Sequence, residues 1–306
     1  MMFERLRHSS DSRAVLSTGL VGAVLLWASW PALAAMAGRW SNDPRYSHGF
    51  LVPIFALYLL WERRGLLATG ANRPSWWCLP LFVAGAVVKI GGGKFFYEWF
   101  DGLSILFSLA GLAALAGGRP ALRWAWPAVA FLIFMIPQPN RAEQAMGAPL
   151  QRIATLASTY ALQTFGLSAV SEGNIIYTNQ GVIGVAEACN GLGMLYMFLA
   201  FSVGAALIIQ RPILDRVLIF LSAAPIALAA NMARIMLTGL LIETLGKGVA
   251  NAFYHDLAGW LMMPLAVAAL MTELSLLSRL LVPVDRPDPR SFLPGSYGLP
   301  PGMGAR

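Results

Sequence analysis

The chain has 306 residues, of which 57% are hydrophobic and only 12% are charged. A soluble domain is typically about 25% charged, so this composition excludes an ordinary soluble enzyme, a nucleic-acid-binding protein and a disordered protein. The formal net charge of +7 arises from Lys and Arg in short segments between apolar runs, a pattern typical of a polytopic membrane protein.

A transmembrane helix needs about 20 mostly apolar residues, and the sequence predicts eight such spans. They lie near 14–38, 49–61, 77–93, 102–117, 124–137, 186–209, 217–245 and 257–281. No clear small-residue cleavage site follows the first span, so we expect a retained helix rather than a removed signal peptide. The expected fold class is therefore all-α, a polytopic integral membrane protein.

Basic residues mark every second connection between the predicted spans. They are Arg5, Arg7, Arg13, Arg63, Arg64, Arg73, Arg119, Arg123, Arg211, Arg216, Arg279, Arg286 and Arg290. Cytoplasmic loops carry an excess of such residues. The pattern therefore predicts an even number of spans, with both termini in the cytoplasm.

The segment 140–167 carries Arg, Glu and Gln among regularly spaced apolar residues. This pattern predicts an amphipathic helix, lying at the membrane interface or packed at the edge of the bundle. Residues 168–185 alternate polar and apolar side chains around two glycines, which favours a small hairpin. We expect a multi-span domain over 1–281, followed by a flexible Pro- and Gly-rich cytoplasmic tail over 282–306.

Three residues near the last three spans are candidates for catalysis. Cys189 begins the sixth span, Arg234 lies within the seventh, and His255 directly precedes the eighth. In the predicted topology all three point to one pocket in the outer half of the membrane. A thiolate is stabilised at a helix N-terminus and beside a cation, Arg can stabilise an oxyanion, and His can protonate a leaving amine. The set indicates cysteine acyl transfer.

Neighbouring polar residues can support this set. Asn231 lies three residues before Arg234 on the same helix face, while Glu187 and Asn190 flank the thiol. Simpler interpretations remain open. Cys189 can be an apolar filler, His255 an interface residue, and Arg234 a structural partner of Glu243 or Glu187.

Four short motifs, EACNGL around Cys189, NMAR at 231–234, FYHDLAG around His255 and YSHGFLVP at 46–53, resemble those of the exosortase/archaeosortase family. The resemblance covers about residues 20–280. It implies a bacterial inner-membrane cysteine peptidase or transpeptidase whose active site lies on the outer side. Its partners would be membrane lipid and exported proteins that end in a sorting tail: a motif such as Pro-Glu-Pro, a hydrophobic helix and a basic end.

Carried over to this chain, the resemblance makes Cys189 the nucleophile, Arg234 the stabilising cation and His255 the general acid and base, with Asp256 beside it as a supporting residue. The chain has CNGL where many exosortases have CSGLR, so Asn190 and Gly193 indicate a variant subgroup. No metal or organic cofactor is expected for this chemistry. The alternative function is a polytopic carrier or export component for a polysaccharide or lipid intermediate, which predicts paired polar residues through the full depth of the bundle.

Overall fold

The computed structural model describes residues 2–68, 75–95, 98–185, 191–209, 212–246, 248 and 258–280. The predicted tail over 282–306 lies outside these residues. The helices are α1 (Met2–Asn42), α2 (Leu51–Glu62), α3 (Gly65–Ala68), α4 (Cys78–Phe95), α5 (Glu98–Phe131), α6 (Asn140–Thr164), α7 (Leu192–Ile208), α8 (Ile213–Leu245) and α9 (Ala258–Leu280). Two 3₁₀ helices, Pro44–Phe50 and Leu132–Met135, precede α2 and follow α5.

The chain is a mainly helical membrane protein. Among the described residues, three helical segments are long and apolar enough to cross a membrane: Leu16–Asn42, Glu98–Met135 and Ile213–Leu245. Helices α2, α4 and α9 begin and end within two residues of predicted spans. Many large apolar side chains are exposed, among them Leu20 at 71% and Trp27 at 80% of their surface. Such a surface suits lipid contact, because lipid tails are as apolar as these side chains.

Helix α5 is a helical hairpin that folds back at two glycines. Gly117 and Gly118 have non-helical dihedral angles, and Gly118 has a φ of 66° with a ψ of −148°, a conformation that side chains essentially forbid. The two arms are antiparallel, since a Cβ built on Gly102 would lie only 2.7 Å from Ile136. The hairpin and the 3₁₀ helix Leu132–Met135 that follows it therefore contain the predicted span 102–117 and most of the predicted span 124–137.

The turn of this hairpin defines one end of the bundle, which we call the basic end. The indole nitrogen of Trp124 donates to the carbonyl of Leu60 at 2.8 Å, and the amide of Ser75 donates to the carbonyl of Ala114 at 3.2 Å. Arg63, Arg64, Arg119 and Arg123 lie in these connections. The opposite end, which we call the Arg45 end, holds the first 3₁₀ helix and the residues after α5. There Trp40 Nε1, near the end of α1, donates to the Met135 carbonyl at 2.9 Å.

A small cap packs on the second half of α8. It consists of α6 and an antiparallel sheet of three strands, β1 (Ala169–Glu172), β2 (Ile175–Thr178) and β3 (Val182–Gly184), in the order β1-β2-β3. The hairpin predicted for 168–185 is thus confirmed, with a third strand added. The cap core contains Leu162, Ile176, Ile183, Ile235 and Ile242, all buried.

Helix α8 joins the bundle to the cap without a break. At about 1.5 Å per residue its 33 residues span roughly 50 Å, far more than the 30 Å hydrocarbon core of a bilayer. The last turns pack on the sheet and on α6, so the end of α8 does not mark the membrane surface. One proline, Pro225, lies inside α8 on the bundle side of Asn231.

Helix α6 buries a mostly polar face and exposes apolar side chains. Glu143, Thr155, Ser158 and Thr159 are buried, whereas Tyr160 is 69% exposed. Thr155 and Thr159 satisfy their hydroxyl groups by donating to carbonyls four residues earlier, at 2.8 Å each. The buried face of the helix is therefore largely polar, while its exposed surface carries apolar side chains together with Arg141, Gln144, Arg152 and Gln163. Its placement at an interface stays a prediction.

Candidate active site

The structure describes only part of the candidate site predicted from the sequence. Arg234 and Asn231 are described, whereas Glu187, Cys189, Asn190, His255 and Asp256 lie outside the described residues. The described part of the site consists of the elements that flank these positions: the start of α7, the middle of α8 and the first 3₁₀ helix. Helix α7 begins at Leu192, later than the span predicted from 186.

Arg234 belongs to a polar stripe on one face of α8. Its Nη2 donates to Oδ1 of Asn231 at 2.7 Å, and the Thr238 hydroxyl donates to the Arg234 carbonyl at 2.9 Å. Asn231 is fully buried. The bond orients the guanidinium, because the position of Asn231 is fixed by its surroundings. This confirms the sequence prediction that Asn231 and Arg234 share a face.

The structural pairing of Arg234 with Glu243 is not formed. Nine residues along an α-helix correspond to two and a half turns, so the two side chains leave opposite faces of α8. The Glu243 carboxylate instead accepts a hydrogen bond from the amide of Gln180, at 3.3 Å, on the exposed surface of the cap.

The N-terminus of α7 lies directly against Asn231. Gly191, which precedes α7, has a φ of 81°, in the left-handed region where glycine is the favoured residue. A Cβ built on Gly191 would lie 3.1 Å from Nδ2 of Asn231. The residue two positions after Cys189 thus contacts the side chain that holds Arg234.

The first 3₁₀ helix lies on the other side of the same N-terminus. A Cβ built on Gly193 would lie 3.0 Å from the Cα atom and 2.9 Å from the Cβ atom of Arg45. Position 193 therefore has no room for a larger side chain while Arg45 keeps its place. The segment that contains YSHGFLVP and the segment that follows Cys189 meet here, which is why both motifs belong to one site.

Arg45 is held by two carboxylates. Its Nε and Nη2 bind Asp43 with distances of 2.7–3.1 Å, and its Nη1 forms an ion pair with Glu143 of α6. Burial raises the pKa of the Asp43 carboxyl, but the hydrogen bonds and charge of Arg45 outweigh this and leave the pKa below its ordinary value. The sequence analysis missed Arg45 and Glu143. Arg45 directly precedes YSHGFLVP, and that position was the available signal.

A polar cavity of about 290 Å³ lies beside this ion pair. Arg45, Asn140, Glu143, Gln144 and Gln151 contribute its polar lining. Gln151 also donates from Nε2 to the carbonyl of Val185, the residue that precedes 186–190. A peptide or other polar ligand in this cavity would therefore lie next to the chain that leads to Cys189. Within the described ranges, no group of three His, Cys, Asp or Glu side chains is placed to hold a metal ion.

His48 of YSHGFLVP is buried, with 5% of its surface exposed. Burial lowers the pKa of its imidazole from 6.5 to about 4, although backbone hydrogen bonds with Phe134 and Arg45 favour the charged form. It is therefore neutral at pH 7. Through its contact with Phe134, His48 links the first 3₁₀ helix to the second one, Leu132–Met135.

We expect the stability of the protein to fall as the pH is lowered from 6.5 toward 4. A depressed pKa in the folded state means that stability is complete above the unfolded value of 6.5 and is lost as the imidazole is forced to bind a proton. The lowered pKa of His48 corresponds to a loss of roughly 3 kcal/mol in the free energy of unfolding. Thermal unfolding in detergent between pH 7.5 and 4.5 measures it, and His48→Gln should flatten that dependence. An equal pH dependence in both proteins would contradict the assignment.

Comparison with known proteins identifies the family of the chain. The family model described as transmembrane exosortase matches residues 40–272, which include the first 3₁₀ helix, α7, α8 and the segments around Cys189 and His255. No curated protein and no solved structure matches the chain. The matched range covers most of the sequence and all of the motifs that meet at the α7 N-terminus, and the chain belongs to the transmembrane exosortase family.

Proposed function

We propose that this protein is a membrane-embedded cysteine transpeptidase or peptidase that removes the C-terminal sorting signal of exported proteins. The observation that carries the proposal is the contact of Gly191 with Asn231, which itself holds Arg234. Two peptide links separate Cys189 from Gly191, and each spans about 3.8 Å between Cα atoms. This short separation supports the proposal that the thiol and the guanidinium act on one substrate carbonyl.

In the proposed reaction the Cys189 thiolate attacks the scissile carbonyl carbon. Arg234 stabilises the resulting oxyanion. The C–N bond then breaks, the leaving amine takes a proton from His255, and a thioester remains on Cys189. Water or an acceptor nucleophile next attacks the thioester, gives its proton to His255 and releases the thiolate. Glu187, Asn190 and Asp256 would support the thiol and the imidazole.

The same proposal includes the topology. Counting the two arms of α5 separately, α1, α2, α4, α7, α8 and α9 complete eight crossings. Arg63, Arg64, Arg119 and Arg123 share one end of the bundle, which favours a cytoplasmic position for the basic end. The Arg45 end, the cap and the active site would then face the outside of the bacterial inner membrane. The CNGL variant fits the close contact at Gly193, because Arg45 occupies the space that a side chain there would need.

Replacement of Cys189 by alanine is expected to abolish processing of a tailed substrate. The thioester cannot form without the thiol, so the loss should be complete within detection. The measurement is intact mass of a tagged protein ending in a sorting tail, co-expressed with each variant. A shortened or extended product should appear with wild type only, and its mass separates hydrolysis from transfer.

Cys78→Ala is the matched control, since Cys78 is the other cysteine of the chain and begins α4 near the basic end. It should process the tail as wild type does. Continued processing by Cys189→Ala would show that the nucleophile is another group and would overturn the proposal.

A further inference from the structure

The third strand of the cap sheet has an open edge. In the ladder between β2 and β3, Ile175 faces Gly184, Ile176 faces Ile183 and Tyr177 faces Val182. Strand β3 has a partner on its β2 side, and no strand of the described sheet lies on the other side. It is therefore an edge strand, whose unpaired backbone groups can receive another strand.

Hydrogen bonds at both ends of this ladder show which backbone groups face outward. The amide of Thr178 donates to the Gly181 carbonyl at 2.8 Å, and the amide of Val185 donates to the Asn174 carbonyl at 2.9 Å. Antiparallel pairs alternate between bonded and non-bonded positions. The backbone N–H and C=O groups of residues 181, 183 and 185 thus point toward β2. The same groups of Val182 and Gly184 point away from it.

The opposite edge of the sheet is different. There the carbonyl of Ala169 in β1 accepts a hydrogen bond from Gln163 Nε2 of α6 at 2.7 Å, so one outward carbonyl of β1 already has a partner. On β3, Val182 is 50% exposed and Gly184 is exposed. Among the described residues, no hydrogen bond is made by the outward backbone groups of Val182 and Gly184.

The β3 edge leads directly into the segment of the candidate nucleophile. Gly184 precedes Cys189 by five residues, a stretch that spans at most about 17 Å. The outward groups of Val182 and Gly184 repeat at the two-residue spacing of an extended peptide. An extended peptide is the ligand that matches such an edge, because its own N–H and C=O groups have the same spacing.

We propose that the β3 edge, Val182–Gly184, binds the segment of the substrate next to its scissile bond as an added β-strand. This inference rests on the proposed function, since it concerns how the same site holds its substrate. Backbone pairing would position an extended segment largely independently of its side chains. The strand would be continuous with the cap sheet and would run toward Cys189.

Site-specific photocrosslinking tests the proposal. The photoreactive residue p-benzoylphenylalanine replaces Val182 or, as a matched control, Val170, which is 66% exposed on the same face of the sheet, in the opposite edge strand β1. Both variants carry Cys189→Ala and are co-expressed with the tagged tailed protein. We expect the adduct of enzyme and substrate to be at least about tenfold more abundant from position 182.

A second measurement addresses the backbone itself. Val182→Pro removes an outward N–H and fixes φ at this position, a substitution that edge strands accept, whereas Val182→Ala keeps the N–H. We expect the proline variant to process the tail about tenfold more slowly than the alanine variant, the effect of losing one hydrogen bond to the substrate. Equal thermal unfolding of the two variants would exclude a folding defect.

Equal crosslinking from 170 and 182, or an adduct with the mass of two enzyme chains, would overturn the proposal. The second of these results would show that the edge pairs with another copy of the protein. The mass assay of Cys189→Ala decides the proposed function separately, so failure of that function and failure of edge binding give different results.

Discussion

Arg234→Gln is expected to reduce the rate of tail processing by about 10²–10³-fold, the usual effect of removing one group that stabilises an oxyanion. Glutamine is shorter and uncharged but still polar, so the loss would reflect removal of the guanidinium. Arg234→Lys should recover only part of the rate, because an ammonium group lacks the planar fork of the guanidinium. Initial rates from a time course of the mass assay measure all three proteins.

A second readout separates electrostatics from structure. In a Cys78→Ala background, iodoacetamide can alkylate Cys189 alone, and only the thiolate reacts. Arg234→Gln should slow this alkylation at neutral pH. Arg216→Gln, the same change about 27 Å away along α8, is the control and should leave both rates close to wild type. Equal losses in the two variants would contradict a role for Arg234 in the site.

Arg45→Met is expected to destabilise the protein by about 3 kcal/mol. Removing one partner of a mostly buried ion pair leaves the other charge without compensation, and here both Glu143 and Asp43 would be affected. Adding Glu143→Gln to Arg45→Met should recover a large part of the loss, since the buried charge is then gone. Steric trapping in bicelles gives the free energy of unfolding of each variant.

Arg39→Met is the matched control for this substitution. Arg39 donates to Asn140 at 3.4 Å in an exposed position, and exposed polar pairs contribute about 0–1 kcal/mol. If Arg45→Met were no more destabilising than Arg39→Met, the ion pair would not hold the first 3₁₀ helix against α6 and α7.

The membrane character and the helix positions could be predicted because apolar runs and Arg placement are local features of the sequence. The pairing of Asn231 with Arg234 could be predicted for the same reason, since three residues separate them on one helix. The succession of spans 102–117 and 124–137 with Arg119 between them was predicted in the same way. The tight turn that joins them could not be predicted, because it depends on the backbone conformation of Gly117 and Gly118, which adjacent residues do not determine.

The ion pairs of Arg45 with Asp43 and Glu143 also could not be predicted from the sequence. Asp43 is local, but Glu143 is 98 residues away, and only the packing of α6 brings it close. The later start of α7 has a similar origin, because Gly191 takes its left-handed conformation where the chain passes Asn231. The roles of Cys189 and His255 stay predictions, based on their motifs and on the elements that flank them.

Helix α8 has a mechanical consequence through Pro225. A proline in a helix supplies no amide for the carbonyl four residues earlier, so the backbone bond from 225 to Leu221 is missing and bending is concentrated there. Arg234 and the residues that pack against the sheet both lie beyond this point. Bending at Pro225 would therefore leave the distance between Arg234 and the residues that pack on the sheet unchanged. If the β3 edge binds the substrate and Arg234 stabilises its oxyanion, as we propose, these two groups would keep their alignment while α8 bends.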